Sequence, residues 1–316
     1  MQIRPFSETD YPALTRAYAE VYPAAPRSET ELRYADGRYT PPYQHARWVA
    51  DVAGELQGWC EYAQHPSWYH PDHYEIALGV VPEARRSGAR TLYEKLYETL
   101  SATLAQRQAQ VLRTNVLETH PAQLGFFGDR GFTETQRSWR SVLDLGGFSS
   151  EPFADVLDAA AQDGFSVESV AAVESDASRL FELYTFYQEL VADLPRTQSY
   201  TPWSFEQFVT HRRTSPLLLP EGSFIVSHEG TLAAVSELKK SAQPGRLQTG
   251  LTAVRRAYRG RGLALLGKLH TLSYAQAQGF SEVTTRNASS NRAMIRINER
   301  LGFVRGVADI ELLKNL

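Results

Sequence analysis

The strongest constraint on the fold is an internal repeat with a spacing of about 170 residues. In each half, an apolar strand pattern is followed by a basic helix-forming stretch, a second short apolar strand and another helix. In the first half the strand ends at Val81 and the last helix closes on Gly131-Phe132. In the second half the strand ends at Val254 and the helix closes on Gly302-Phe303. The repeat indicates two copies of one folding unit.

The upstream patterns also recur. Each half begins with a short strand and an acidic residue suited to starting a helix, Asp10 or Asp176. Each later contains two alternating runs joined by a turn, at Gly54 or Gly230. We therefore predict the order β-α-α-β-β-β-α-β-α-β in each half, an α/β fold with a mixed sheet. We expect domains over residues 1–146 and 147–316.

Composition limits the partners of this chain. With 42% apolar and 22% charged residues, 316 residues suffice for two globular cores. A net charge of −3 and a pI near 6.3 argue against nucleic acid as a partner. No apolar run reaches membrane-spanning length, and the single cysteine, Cys60, excludes an internal disulfide. We expect a cytoplasmic monomer or homodimer without nucleic-acid or membrane partners.

The turn Arg259-Gly260-Arg261-Gly262 joins the strand ending at Val254 to an apolar-periodic helix. At a helix N-terminus the first four backbone amides lack partners, and the helix dipole favours an anion. Glycine lets such a ligand approach the backbone closely. The turn therefore predicts a phosphate-binding site.

Two familiar phosphate-binding motifs fit this turn poorly. A nucleotide-triphosphate loop needs Lys followed by Ser or Thr after its last glycine, where this chain has Leu263-Ala264. A dinucleotide fingerprint needs Gly or Ala where Leu265 stands, although Glu282 lies at a ribose-binding spacing. A nicotinamide-dependent oxidoreductase stays open as an alternative.

The stretch from Arg259 to Ala264 resembles the acyl-CoA signature (Gln or Arg)-x-x-Gly-x-(Gly or Ala) of the GNAT superfamily of N-acyltransferases. The element order of both halves matches that fold, in a tandem layout similar to mycothiol synthase and other double-domain members. The resemblance implies two tandem GNAT folds, acetyl-CoA as cosubstrate, and acetyl transfer to a primary amine of a small molecule. A module that binds acyl-CoA without turnover is the alternative.

The resemblance also implies cofactor contacts in the second half. Strand amides at 252–254 would polarise the thioester carbonyl, the turn would bind the diphosphate, and two asparagines would flank the pantetheine. The implied residues are Thr252, Ala253, Val254, Arg259, Gly260, Arg261, Gly262, Leu263, Ala264, Asn287 and Asn291. Asn291 is equally suited to capping the following helix.

The sequence indicates the catalytic acid and base less clearly than the cofactor site. Family members commonly place a leaving-group acid, often tyrosine, four residues before the final Gly-Phe pair, where this chain has Asn298 in the second half and Phe127 in the first. Neither readily protonates a thiolate. Glu237 is the candidate general base, and an ordinary strand carboxylate is the competing interpretation.

The first half departs from the signature. Its aligned stretch runs from Arg86 to Thr91, with Ala89 in place of the signature glycine and Thr91 in place of the small last residue. A left-handed alanine costs about 1–2 kcal/mol, so CoA binding there should weaken. We expect the first domain to be a degenerate copy that acts as a scaffold.

The resemblance also implies that the segment from 187 to 205, which corresponds to a variable region of the family, lines the acceptor site. Its candidate residues combine aromatic rings with a carboxylate suited to a cationic amine: Tyr187, Asp193, Tyr200 and Trp203. Core packing of these aromatics is the alternative. The histidines of 65–73 lie among prolines without helical spacing, so we expect a surface loop and no metal site.

Overall fold

The computed structural model describes residues 1–194 and 197–316, without the side chains of residues 85–89. The chain forms two compact units. Unit 1 comprises Met1–Arg137, Thr197–Thr201 and Asp309–Leu316, and unit 2 comprises Ser138–Arg196 and Pro202–Ala308.

The first half contains the predicted succession of strands and helices. Its elements are β1 (Gln2–Pro5), α1 (Tyr11–Val21), α2 (Glu29–Asp36), β2 (His45–Val52), β3 (Glu55–Ala63), β4 (His73–Val80), α3 (Pro82–Gln106), β5 (Val111–Leu117), α4 (Pro121–Gly128) and β6 (Thr133–Asp144).

The second half repeats this order with one additional short helix, α6, and a leading helix, α5. Its elements are α5 (Ala154–Gln162), β7 (Phe165–Ser169), α6 (Val170–Ser175), α7 (Leu180–Ala192), α8 (Phe205–Thr214), β8 (Phe224–His228), β9 (Thr231–Lys240), β10 (Arg246–Val254), α9 (Leu263–Ala277), β11 (Glu282–Ala288), α10 (Arg292–Arg300) and β12 (Val304–Asn315).

In unit 1 the strand order is β1-β2-β3-β4-β5-β12. The neighbours are antiparallel except for β4 and β5, which are parallel. Helix α1 packs its apolar face, including Leu14 and Tyr18, against Val49 and Trp59 of the sheet. The 3.6-residue spacing of those apolar positions is what places them on one face.

In unit 2 the strand order is β6-β11-β10-β9-β8-β7, and only β10 and β11 are parallel. One core joins Leu265, Leu269 and Leu272 of α9 to Leu247 and Val283 of the sheet. A second core lies among α6, α7, α8 and strands β8 and β9. Both units therefore contain the predicted mixed sheet.

The last strand of each half pairs with strands of the other half. Residues Ser138–Asp144 of β6 are in antiparallel register with β11, and Asp309–Asn315 of β12 are in register with β5. Leu143 is accordingly part of the core of unit 2. The compact units thus differ from a single division at residue 146, because a repeat identifies equivalent elements but not their pairing partners.

This exchange predicts that fragment boundaries decide stability. A fragment of residues 138–308 keeps the seven-residue register between β6 and β11 and the buried Leu143. A fragment of residues 147–316 loses both, and loss of one buried leucine alone costs about 2–5 kcal/mol. Urea unfolding followed by circular dichroism should therefore give the higher midpoint for 138–308. Equal midpoints would show that the exchanged strand contributes nothing.

Candidate functional site

The turn before α9 has the backbone that its glycines were predicted to allow. Gly260 and Gly262 have φ values of 79° and 78°, in the left-handed region that favours glycine. Gly262 is the N-cap of α9. An added Cβ at Gly260 would meet nothing within 4 Å, so the backbone there is open to a ligand.

Successive backbone amides of this turn are unpaired. In the part of the chain that the structure describes, the amides of residues 260–265 have no backbone acceptor, and Leu266 is the first to bond, to the carbonyl of Gly262 at 3.0 Å. We call the amides of 260–265 the amide cradle. Hydrogen bonds to a charged acceptor contribute about 1.5–3 kcal/mol each, so the amide cradle can hold a phosphate group.

Most arginines of the turn are held by carboxylates. Arg255 donates to Glu189 at 2.8 Å. Arg256 and Arg259 both pair with Asp193, whose pKa is lowered to about 2, first by the hydrogen bond from Arg256. The backbone therefore offers the more direct anion contacts, and Asp193 faces the turn.

Strands β10 and β11 separate beside the turn. Strands β10 and β11 pair over only three positions, from Arg246 opposite Glu282 to Gln248 opposite Thr284. The hydroxyl of Thr249 then donates to that of Thr285 at 2.7 Å. Beyond this point β10 has no paired neighbour on its β11 side among the described residues. We call the space between the two strands the strand gap.

Two of the three predicted strand amides face the strand gap. The amide of Arg255 donates to the carbonyl of Ala233 on β9 at 2.9 Å. Amides of an antiparallel strand point to alternate sides. The amides of Thr252 and Val254 therefore point into the strand gap, whereas that of Ala253 points toward β9.

Glu237 lies next to a bulge in β10. The β9–β10 register shifts between Thr249 and Thr252, and Glu237 Oε2 accepts the amide of Leu251 at 3.1 Å. Its Oε1 accepts Tyr187 Oη at 2.7 Å and Arg212 at 2.8 Å. Although burial opposes ionisation, Arg212 and these donors lower the pKa of Glu237. A buried carboxylate held in this way is a poor proton acceptor, so the geometry disfavours the general-base interpretation.

The first half contains the same three residue types. Glu61 follows Gly54 at the spacing at which Glu237 follows Gly230. Glu61 accepts Tyr18 Oη at 3.1 Å and Arg47 Nε at 2.7 Å. We call each set, Tyr18–Glu61–Arg47 and Tyr187–Glu237–Arg212, a Tyr–Glu–Arg network.

The strand facing the network differs between the halves. In unit 1 the register of β3 with β4 is continuous from Gly58 to Ala63. The bulge at 250–251 is therefore a feature of the second copy and not a requirement of the network.

The first half also lacks a long connection before its helix. Strand β4 ends at Val80 and α3 begins at Pro82, whereas eight residues separate β10 from α9. The side chains of 85–89 lie outside the described residues. Weakened CoA binding through Ala89 and Thr91 therefore stays a prediction. Phe127 is completely buried among aromatic rings.

The three asparagines have different surroundings. Asn291 caps α10, accepting the amide of Met294 at 3.3 Å. Asn298 is 3% exposed and donates through Nδ2 to Asn287 Oδ1 on β11 at 2.7 Å, but its own Oδ1 is buried without a hydrogen-bond partner. Asn287 and Asn298 are thus connected beside the strand gap.

Lys268 was missed by the sequence analysis. It lies on α9, is 1% exposed, and its Nζ has no hydrogen-bond partner. Burial lowers its pKa to about 7. A lysine within the apolar stretch of α9 was the available signal, because lysine is almost never fully buried without a partner.

The four predicted acceptor residues do not form one pocket. Tyr187 is buried in the network with Glu237, and Asp193 pairs with the arginines of the turn. Trp203 packs against the second core of unit 2, with its ring 4.9 Å from that of His211. Tyr200 belongs to unit 1. The core-packing interpretation therefore fits Tyr187 and Trp203 better.

Two further features of the described residues concern metals and membranes. No three histidine, cysteine, aspartate or glutamate residues among them are grouped to hold a metal ion. His65 stacks on Trp68 at 3.7 Å, and His70 stacks on His73 at 3.8 Å. Among the same residues, no helix combines the length and apolar character that crossing a bilayer requires.

The family model "Acetyltransferase (GNAT) family" matches the chain twice, over residues 11–132 and 180–303. The chain belongs to the GNAT acetyltransferase family. Its two matched regions confirm the predicted tandem of GNAT folds. No curated protein sequence matches the chain.

Solved structures of GNAT proteins share this fold. A GCN5-related N-acetyltransferase from Sphaerobacter thermophilus is 17% identical with a TM-score of 0.72, over 99% of this chain and 95% of that one. A tandem GNAT protein from the clavulanic acid biosynthesis pathway is 19% identical with a TM-score of 0.71, over 99% and 98%. A GNAT-family acetyltransferase from Colwellia psychrerythraea is 16% identical with a TM-score of 0.65, over the full length of both.

The GNAT fold excludes the nicotinamide alternative. A dinucleotide-binding fold needs an open, mostly parallel sheet, whereas unit 2 is mostly antiparallel. Glu282, the expected ribose ligand, instead pairs with Arg246 on β10.

The two Tyr–Glu–Arg networks generate a stability prediction. Glu61→Gln and Glu237→Gln each remove one of the two carboxylates that pair with a buried arginine, while Asp36 stays beside Arg47 and Glu174 beside Arg212. Each should therefore lower the free energy of unfolding by about 1–3 kcal/mol at neutral pH. Because the pKa values of both carboxyls are lowered in the folded chain, the loss should be full above about pH 5 and shrink as pH falls further.

Urea unfolding at several pH values measures this loss. The exposed Glu134→Gln provides a control in which only a surface ion pair is removed. A loss below 1 kcal/mol at neutral pH for either buried carboxylate would contradict the prediction.

Proposed function

We propose that unit 2 transfers an acetyl group from acetyl-CoA to a primary amine of a small molecule. Two separate groups of unpaired backbone amides carry the proposal: Thr252 and Val254 in the strand gap, and the amide cradle at the start of α9. The first group suits a thioester carbonyl and the second a diphosphate.

In this proposal, backbone amides of unit 2 make the main contacts with the cofactor. The amide cradle, which includes Gly260, Gly262, Leu263 and Ala264, would bind the diphosphate, while Arg259 and Arg261 add positive charge at its edge. Arg259 would have to leave Asp193 to contact the ligand directly. Asn287 lies across the strand gap, where it can contact the pantetheine arm, and Asn291 serves the same helix as its cap.

The strand amides supply the polarisation needed for acyl transfer. Thr252 or Val254 would donate to the thioester oxygen as negative charge develops there. Glu237 would act through the bulge, by holding the amide of Leu251 and so the path of β10, and not as the general base. A neutral amine can then attack the carbonyl carbon, and its proton leaves to water.

The acceptor is proposed to be a small amine that approaches near the end of β10. A cavity of about 270 Å³ there is lined by carboxylates and arginines, including Glu189, Asp193, Arg255 and Arg256, together with Val254. Both carboxylates are paired with arginines, so a cationic amine would bind them by displacing a guanidinium group. The cytoplasmic location and the monomeric or homodimeric state stay predictions.

A module that binds acyl-CoA without turnover is the second candidate. Asn298, which is no acid, occupies the position where family members commonly carry tyrosine. Turnover separates the two candidates. Release of CoA, followed with a thiol reagent across a panel of primary amines, should show amine-dependent turnover. Retention on immobilised CoA without any release would support the module.

Binding itself is tested at the glycine turn. Gly262→Asp places a carboxylate and a Cβ at φ 78° beside the amide cradle, and should weaken retention on immobilised CoA by about tenfold to a hundredfold. Gly230→Asp is the matched control, since Gly230 also has φ 78° but lies in the β8–β9 turn. Equal retention by both variants would remove the acyl-CoA assignment.

The role of Glu237 is tested by rate. Glu237→Gln should lower kcat at least tenfold because the bulge loses its anionic acceptor. Glu61→Gln should leave kcat within about twofold, since β4 carries no such bulge. The pH–rate profile should keep its acidic limb in Glu237→Gln. Disappearance of that limb would restore the general-base role.

A further inference from the structure

Two buried polar groups without hydrogen bonds lie beside the same ring. Lys268 Nζ is 5.1 Å from the centroid of the Phe303 ring. Asn298 Oδ1 is also buried and unpartnered, and Asn298 and Phe303 line one small cavity together with Asn287. Buried polar groups are seldom left unpaired, because each one costs about 1–3 kcal/mol or more if charged. A polar ligand atom close to Phe303 would complete either group.

Contacts of α9 place Lys268 level with the strand gap. A Cβ on the preceding Gly267 would lie 3.0 Å from Ser236 Cβ. Ser236 is the register partner of Thr252, and their hydroxyls are 3.2 Å apart. The backbone of Lys268 therefore lies near the part of β10 whose amides face the strand gap.

The direction of the Lys268 side chain agrees with this position. Leu265 and Leu272, one turn before and one turn after Lys268, pack in the core that contains Leu247 and Val283. Those two residues form the middle pair of the short β10–β11 ladder. Residues three and four apart share a helix face, so Lys268 projects toward the same two strands.

Among the described residues, Lys268 Nζ has no hydrogen-bond partner to offset its burial. The polar residues that the contacts of α9 and Phe303 place in this region are uncharged: Ser236 of β9, Thr252 of β10, Thr271 of α9 and Asn298 of α10. Burial alone lowers the pKa of Lys268 to about 7. Its amine therefore exists in both protonation states near neutral pH, as proton transfer requires.

We propose that Lys268 donates the proton to the sulfur of the departing CoA. This assignment rests on the proposed function, and it supplies the acid that Asn298 cannot. The acceptor nitrogen forms a bond to the carbonyl carbon, the C–S bond breaks, and its electron pair stays on sulfur. The Lys268 ammonium transfers one proton to that sulfur. The proton lost by the acylated nitrogen, relayed by water, restores the ammonium.

The first half provides a matched control. Lys95 follows Val81 at the spacing at which Lys268 follows Val254, and each is followed by leucine. Lys95 is exposed, whereas Lys268 is buried. Lys95→Met therefore removes the equivalent lysine without touching the strand gap.

The first experiment measures the bound thiol and needs no acceptor. CoA is titrated with pH in complex with the protein, and its thiolate is followed by ultraviolet absorbance, with desulfo-CoA as the blank. A free thiol has a pKa of about 8.5, and a neighbouring ammonium should lower it by about one to three units. We expect that shift in the unmodified protein and in Lys95→Met, and its loss in Lys268→Met.

The second experiment measures turnover with acetyl-CoA and tyramine as the probe amine, and with water as acceptor. Lys268→Met should lower kcat by about 10²- to 10⁴-fold, with little change in KM for acetyl-CoA. Lys268→Arg keeps a positive charge but no transferable proton, so it should keep the thiol shift and still turn over slowly. Full turnover by Lys268→Arg would overturn the proton-donor role.

The outcomes separate the two proposals. If the unmodified protein does not retain CoA, the proposed function fails. If it retains CoA but the bound thiol titrates alike with and without Lys268, only the assignment of Lys268 fails.

Folding of the variant is checked by thermal unfolding. A lowered lysine pKa penalises the folded chain most when the amine is protonated, so Lys268→Met should raise the midpoint, more at about pH 6 than at about pH 9. A lowered midpoint at both pH values would show that Lys268 is a structural residue, and would overturn the assignment.

Discussion

The early end of pairing between β10 and β11 is the constraint on which unit 2 depends. After Gln248 and Thr284 the two strands no longer pair through their backbones. Strand β10 stays in the sheet because β9 holds its other side, and Glu237 accepts the amide of Leu251 at the bulge. Backbone donors in the middle of a sheet are thereby left for a ligand, which an ordinary ladder would not allow. The glycine turn adds a second group of unpaired donors at the start of α9.

The two halves show which features serve the fold and which serve the site. Both keep a tyrosine, a glutamate and an arginine joined beneath the central hairpin. The second half alone combines this network with a bulge and a glycine turn. A carboxylate that recurs in both halves is therefore poor evidence for catalysis. What distinguishes the second copy is the backbone of β10 and of the turn after it.

Sequence patterns predicted the elements well because apolar spacing and glycine act locally. The repeat, the element order and the left-handed glycines at 260 and 262 all follow from neighbours a few residues apart. The partners of strands and of charged side chains do not follow from neighbouring residues. Nothing near Asp193 in the sequence shows that it meets Arg256 and Arg259, and nothing near Glu237 shows Arg212. Long-range contacts therefore decide where the predicted acceptor and catalytic residues lie in the fold.

Lys268 illustrates a second limit of prediction from sequence, which is the burial of a single side chain. Its burial depends on residues distant in sequence, such as Phe303 beside its Nζ, so the composition of the helix alone could not show it. The position of Lys95, exposed at the same place in the first copy, shows that the repeat by itself carries no information about burial.

The exchanged terminal strands give a reason for the persistence of the first half. Without β6, strand β11 would present an open edge to solvent, and such edges invite pairing with other chains and aggregation. A gene that lost its first copy would thus lose the protection of the second sheet as well. The first half thus contributes to the second sheet through the strand β6.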